Sequence, residues 1–102
     1  MAISDTATLA ESFRRLFPNM DQDEALAQLL LERAQRNLVR YETAARRFGA
    51  QYEQEFDQFR EMVLSSDVDE KTEQDYFDWE LAVTGISDMQ DEIARLRMLL
   101  SQ

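Results

Sequence analysis

Residues 21–64 read DQDEALAQLLLERAQRNLVRYETAARRFGAQYEQEFDQFREMVL. Within this stretch an apolar residue returns at Leu26, Leu30, Ala34, Leu38, Tyr41, Ala45, Phe48, Tyr52, Phe56, Phe59 and Val63, a mean spacing of 3.7 residues. That is the interval at which an α-helix comes back to the same face, and it is sustained for about eleven turns. A strict coiled-coil seam would return every 3.5 residues, so a heptad coiled coil is not expected. Asp21 can accept from the first free amides, and Glu24 stands three residues later, in the pattern of a capping box. Asp23 and Glu24 also suit the positive end of the helix dipole. Gly49, after Arg46, Arg47 and Phe48, can cap a helix end or lie within one. Phe48 and Tyr52 remain four apart across it, so the spacing predicts a single helix over 22–64.

On the N-terminal side, Leu9, Phe13, Leu16 and Phe17 share one face at helical spacing, with Ser4 or Asp5 as the cap. Pro18 disfavours helix in the residue before it and Asn19 favours a turn, so this short helix spans about 5–17. On the C-terminal side, Ser65-Ser66-Asp67-Val68-Asp69 is polar and offers Ser66, Asp67 or Asp69 as caps. A third helix follows over about 70–101, with Trp79, Ala82 or Val83, Ile86, Met89, Ile93, Leu96 and Leu100 in phase. Two long helices joined by a short loop lie antiparallel. At about 1.5 Å per residue they span roughly 60 Å and 45 Å. The fold class is therefore all-α: a short N-terminal helix plus a long antiparallel helical hairpin, in a single domain over 1–102. The stripes are too wide for one hairpin to bury; the short N-terminal helix could cover some of that surface, and a homodimer forming a four-helix bundle is the preferred solution.

The composition agrees. Only two Gly and one Pro are present among 102 residues, leaving few places to turn. There is no Cys and no His. Disulfides, thiolate metal sites, the commonest general base and the Glu-x-x-His di-iron pattern are all excluded by that absence. No Walker loop or dinucleotide fingerprint occurs. Ser12, Ser65, Ser66, Ser87 and Ser101 have no histidine to activate them, and Lys71, the one lysine, stands among acids that favour its charged form. A carboxylate cation site could draw on Glu53, Glu55, Asp57, Asp75 and Asp78, but acid-rich helices usually present a solvated face. The expectation is a non-enzymatic protein without a cofactor. No apolar run is long enough to span a membrane, and residues 1–5 lack the character of a signal peptide, so a cytoplasmic location is the default.

The net charge is −10, and all of it lies in the second half of the chain. Residues 1–49 hold seven acids and seven arginines, whereas residues 53–80 hold eleven acids against Arg60 and Lys71. Such a field repels nucleic acid and attracts a basic partner, although it also serves simply as a solvated surface. Arg33, Arg36, Arg40, Arg46 and Arg47 form the one basic stretch. Glu32 and Glu42 dilute it, so direct nucleic-acid binding is not expected. A solvated face, or pairing with acids on a neighbouring helix, accounts for these arginines.

The most distinctive run is Glu73-Gln74-Asp75-Tyr76-Phe77-Asp78-Trp79-Glu80, three large rings among four acids. Aromatics rimmed by charge are typical anchors of protein interfaces. They equally suit a plug at the hairpin end or an oligomer seam. The order Phe48-Gly49, Phe56-Asp57-Gln58-Phe59, then EQDYFDWE, Leu81-Ala82 and a helical tail resembles small helical antitoxin-like proteins of prokaryotic type II toxin–antitoxin pairs. The resemblance covers about residues 30–100. It departs at Ala50-Gln51, where that group tends to place a helix-starting Ser or Thr. It implies a binding role and transfers no catalytic residue. The expected partner is a basic protein such as an RNA-cleaving toxin, with Asp75, Asp78 and Glu80 pairing to its cations and Tyr76, Phe77 and Trp79 as anchors. The alternative is a homo-oligomeric structural or assembly bundle using the same rings.

Overall fold

A computed structural model describes residues 5–102. Four helices follow one another: α1 (Thr6–Leu16), α2 (Gln22–Tyr52), α3 (Phe56–Ser65) and α4 (Glu70–Leu100). The described part of the chain contains no strand.

Each helix start is set by a side chain that meets an otherwise free amide. The Asp5 carboxylate accepts from the Thr8 amide at 3.1 Å and from the Thr8 hydroxyl at 2.8 Å; Ser4, the other cap considered, lies outside the described residues. Asp21 accepts from the Glu24 amide at 2.7 Å. Among the three caps available before α4, Asp69 is the one used, accepting from the Thr72 amide at 2.8 Å.

The helix runs through Gly49 without interruption. It stops three residues later. Glu53 takes the left-handed conformation (φ 51°, ψ 42°), and the Glu55 amide donates to Gln58 Oε1 at 3.3 Å as α3 begins. The single helix expected over 22–64 is thus two helices, and the hairpin closes through α3 rather than a short loop. The turn kept the apolar phase: Tyr52 and Phe56 stay four apart across it. Folding over at Glu53 carries Phe56 and Phe59 onto α4, where a straight helix would have run past it.

The two long helices pack antiparallel. Phe48 stacks on Trp79, Tyr41 lies across Gly85, and Ala34 meets Ile93 and Leu96, so residue numbers rise on one helix as they fall on the other. The interior divides in two. The closed end is aromatic, built on Phe48, Phe59, Tyr76 and Trp79 with Tyr52 and Phe56 against them. The open end is aliphatic, built on Ala34, Ile93 and Leu96 with Leu31, Leu38 and Met89. The molecule measures 58 × 32 × 18 Å and has a radius of gyration of 19.7 Å, against about 13 Å for a compact chain of similar length. α1 belongs to neither cluster and has no fully buried residue.

Candidate functional site

The acidic-aromatic run spans both sides of α4, and its six residues do not form one surface. A helix turns about 100° per residue, so neighbours in a run of eight point all round the axis. Trp79 is 3% exposed and lies among Phe48, Phe56 and Phe59, with ring centroids 5.9, 5.4 and 5.1 Å away. Tyr76 is also buried. Its ring stacks on Phe56 at 6.0 Å and its hydroxyl donates to Glu80 Oε2 at 2.9 Å. These two rings are interior side chains of the protomer, which removes them as exposed docking anchors.

Asp75 is interior as well, at 8% exposure. Its Oδ2 accepts from Tyr52 Oη at 2.5 Å, Lys71 Nζ at 2.9 Å and Gln51 Nε2 at 3.2 Å. Three donors from α2 and α4 thereby converge on one buried oxygen and latch the end of α2 to the first turns of α4. A buried carboxylate needs such partners, because ionised groups lose water on burial. The Tyr52 hydroxyl, and after it the Lys71 ammonium, hold the Asp75 carboxyl below the usual carboxylate range. Burial, and then the bond to Asp75, push the Tyr52 hydroxyl up. The bond to Asp75 likewise raises Lys71.

The signs give a stability profile. Asp75 has a depressed native pKa, so its contribution is full above ~3.9, the unfolded aspartate value, and is lost as pH falls through the lower native value. Tyr52 and Lys71 have raised values, so theirs is full below ~10 and is lost as pH rises through them. Asp75→Asn is therefore expected to lower the unfolding free energy measured in urea by about 1 kcal/mol between about pH 5 and 9, for the weakened charge-assisted bonds. Its difference from the unmodified protein should shrink below pH 4. An equal difference at pH 3 and pH 7 would show that the latch does not depend on the ionised carboxylate.

What remains outside is narrower than the run. Phe77 is 52% exposed, and Leu81, one turn further, is 65% exposed. Glu73 and Asp78 are exposed beside them and Glu80 is partly so; Asp78 accepts from Gln74 at 3.0 Å. Leu81 is the member of this surface that the run of rings concealed; its i+4 spacing from Phe77 is the signal that marks it.

All three ion pairs found among the described residues lie within a single helix: Glu11–Arg15, Lys71–Asp75 and Glu92–Arg95. None joins α2 to α4, so of the two expectations for the α2 arginines, a solvated face and pairing across helices, the structure matches the first. Arg33, Arg36, Arg40 and Arg47 lie exposed on α2, and Arg47 sits 5.7 Å from the Phe48 ring centroid. Glu53, Glu55, Asp57, Asp75 and Asp78 do not converge, and no group of three metal-binding side chains forms among the described residues. No described helix is long and apolar enough to cross a membrane. Searches against protein-family models, curated proteins and solved structures return no match for this chain.

Proposed function

We propose that this chain is a non-enzymatic protein-binding module that docks a basic partner on the acidic, closed end of its hairpin. The observation that carries this reading is the Phe77–Leu81 pair. Two large apolar side chains stand half exposed or more on a helix, beside Glu73, Asp78 and Glu80, none of which pairs with a cation among the described residues. An apolar anchor supplies affinity once water is excluded, while the surrounding acids steer the encounter and select for Lys and Arg. The resemblance of EQDYFDWE and its flanks to antitoxin-like proteins makes a basic, RNA-cleaving toxin one partner of the right chemistry.

The test is capture of partners from the source cell, followed by titration of the purified pair. Phe77→Ala is expected to weaken binding roughly tenfold, or 1.4 kcal/mol, with helix content unchanged. Asp78→Lys should slow association, and the affinity should fall as salt shortens the Debye length from about 30 Å at 0.01 M to about 8 Å at 0.15 M. Recovery of no basic protein, or an affinity indifferent to both substitutions, would overturn the reading.

A second reading, self-association into a helical bundle, has its own support. The protomer exposes 7996 Å², whereas a compact monomer of its mass exposes about 6,000 Å². The excess of about 2,000 Å² is more than twice the ~800 Å² that one partner contributes to a standard interface. Two hairpins in a homodimeric four-helix bundle would cover such a surface.

A further inference from the structure

The open end of the hairpin carries a large group of uncovered apolar side chains. A groove of about 570 Å³ runs between the start of α2 and the end of α4. Leu26, Leu30, Leu96, Leu99 and Leu100 line it, and Asp23 and Glu24 edge it. Leu26, Leu30 and Leu99 are each about half exposed. No residue of α1 lines this groove, although α1 ends only a few residues before the groove's lip at Asp21.

α1 has the complementary defect. Leu9, Phe13, Leu16 and the C-cap Phe17 make one apolar face; Phe13 and Phe17 are only partly covered, and α1 has no fully buried residue. Leu9 and Leu16 are more than half exposed, and Phe13 and Phe17 stack on each other at 5.6 Å and on no other ring. An isolated helix of 11 residues is too short to be stable in water without a surface to pack on. The charges match as well. Among the described residues Arg14 enters no ion pair, and Arg15 reaches only the exposed Glu11 at 3.7 Å. The groove's edge presents Asp23 and Glu24, equally without a paired cation among the described residues. One chain thus holds an apolar, arginine-bearing rod and an apolar, acid-edged groove that do not meet.

α1 does not line its own groove, and the surface excess is enough for a second molecule to cover. We propose that the groove receives α1 of a second copy of this chain, reciprocally, so that two hairpins exchange their N-terminal helices about a two-fold axis. This rests on the self-association reading and names its interface. It leaves the Phe77–Leu81 surface, at the far end of each hairpin, free for a different partner.

Light scattering on the full chain should give twice the 12.0 kDa of the protomer. Phe13→Asp on the rod and Leu30→Asp in the groove should each halve that mass, while circular dichroism loses no more helical signal than the 11 residues of α1 supply. Since the chain has no cysteine, a flexible bis-maleimide reacts only with introduced thiols. A mixture of chains carrying Phe13→Cys and chains carrying Leu30→Cys should cross-link to a dimer well above either variant alone. A monomeric unmodified protein would sink both the self-association reading and this interface. A dimer that survives Phe13→Asp, or a mixture that fails to cross-link, would sink the interface alone. So would a double variant, Phe13→Cys with Leu30→Cys, that links within one chain, because α1 would then cover its own groove.

Discussion

Trp79→Ala is expected to cost about 3–5 kcal/mol, the range for removing a large buried aromatic, and so to undo most of the stability of a domain worth about 5–15 kcal/mol in all. The indole touches rings from both α2 and α3: Phe48 at 5.9 Å, Phe59 at 5.1 Å and Phe56 at 5.4 Å, the last edge-on. No backbone shift that keeps the helices straight can refill that space, because the neighbours are themselves large and already in contact. Urea denaturation followed by far-ultraviolet circular dichroism gives the number. Phe77→Ala, two residues away, is the control; its half-exposed ring should change stability by no more than about 0.5 kcal/mol. A loss below 1 kcal/mol for Trp79→Ala would mean that the ring cluster does not hold the closed end. The pair separates a ring that builds the fold from one that is free to meet a partner.

The two glycines should respond oppositely to the same change. A β-carbon at Gly85 would lie 2.6–2.7 Å from three ring atoms of Tyr41, closer than atoms can approach. Gly85→Ala should therefore push the α2 and α4 axes apart or drive Tyr41 from its rotamer, at about 1–3 kcal/mol for overpacking. At Gly49 the nearest atoms would be 3.8 and 3.9 Å away, ordinary contact. Gly49→Ala should leave stability unchanged or raise it by up to about 1 kcal/mol, the helix preference of alanine over glycine. Thermal unfolding of both variants decides the matter. A stabilising Gly85→Ala would refute the close crossing at Tyr41.

These contrasts show where the chain was readable. The stripe from Leu26 to Tyr52 is regular enough that the helix, its Asp21 cap and its passage through Gly49 all follow from spacing. The break at Glu53 does not, because a three-residue turn happens to preserve the phase, and Glu is an unusual residue in the left-handed region. Gly85 reads as a mere interruption until Tyr41 is placed over it. The acidic-aromatic run is legible as distinctive but not as a surface. Tyr76 and Trp79 continue the apolar face of α4, while Phe77 and Leu81 fall on its back. The stripe that begins at Trp79 marks the inner side, but the rings of α3 that cover it arrive through the turn that spacing hides. Asp75 read as an acid facing a partner's cations because its donors, Tyr52 and Gln51, come from more than twenty residues upstream.

The division of the interior also orders its assembly. Tyr52 and Asp75 are 23 residues apart in the chain, whereas Leu30 and Leu96, at the far mouth, are separated by nearly three times that distance. Closing the nearer contact sacrifices less chain freedom, and each later one then extends a rod already anchored. The rings and their latched carboxylate are thus placed to nucleate the hairpin, which zips from them toward the leucines; the mouth is the last part to form and the first to fray.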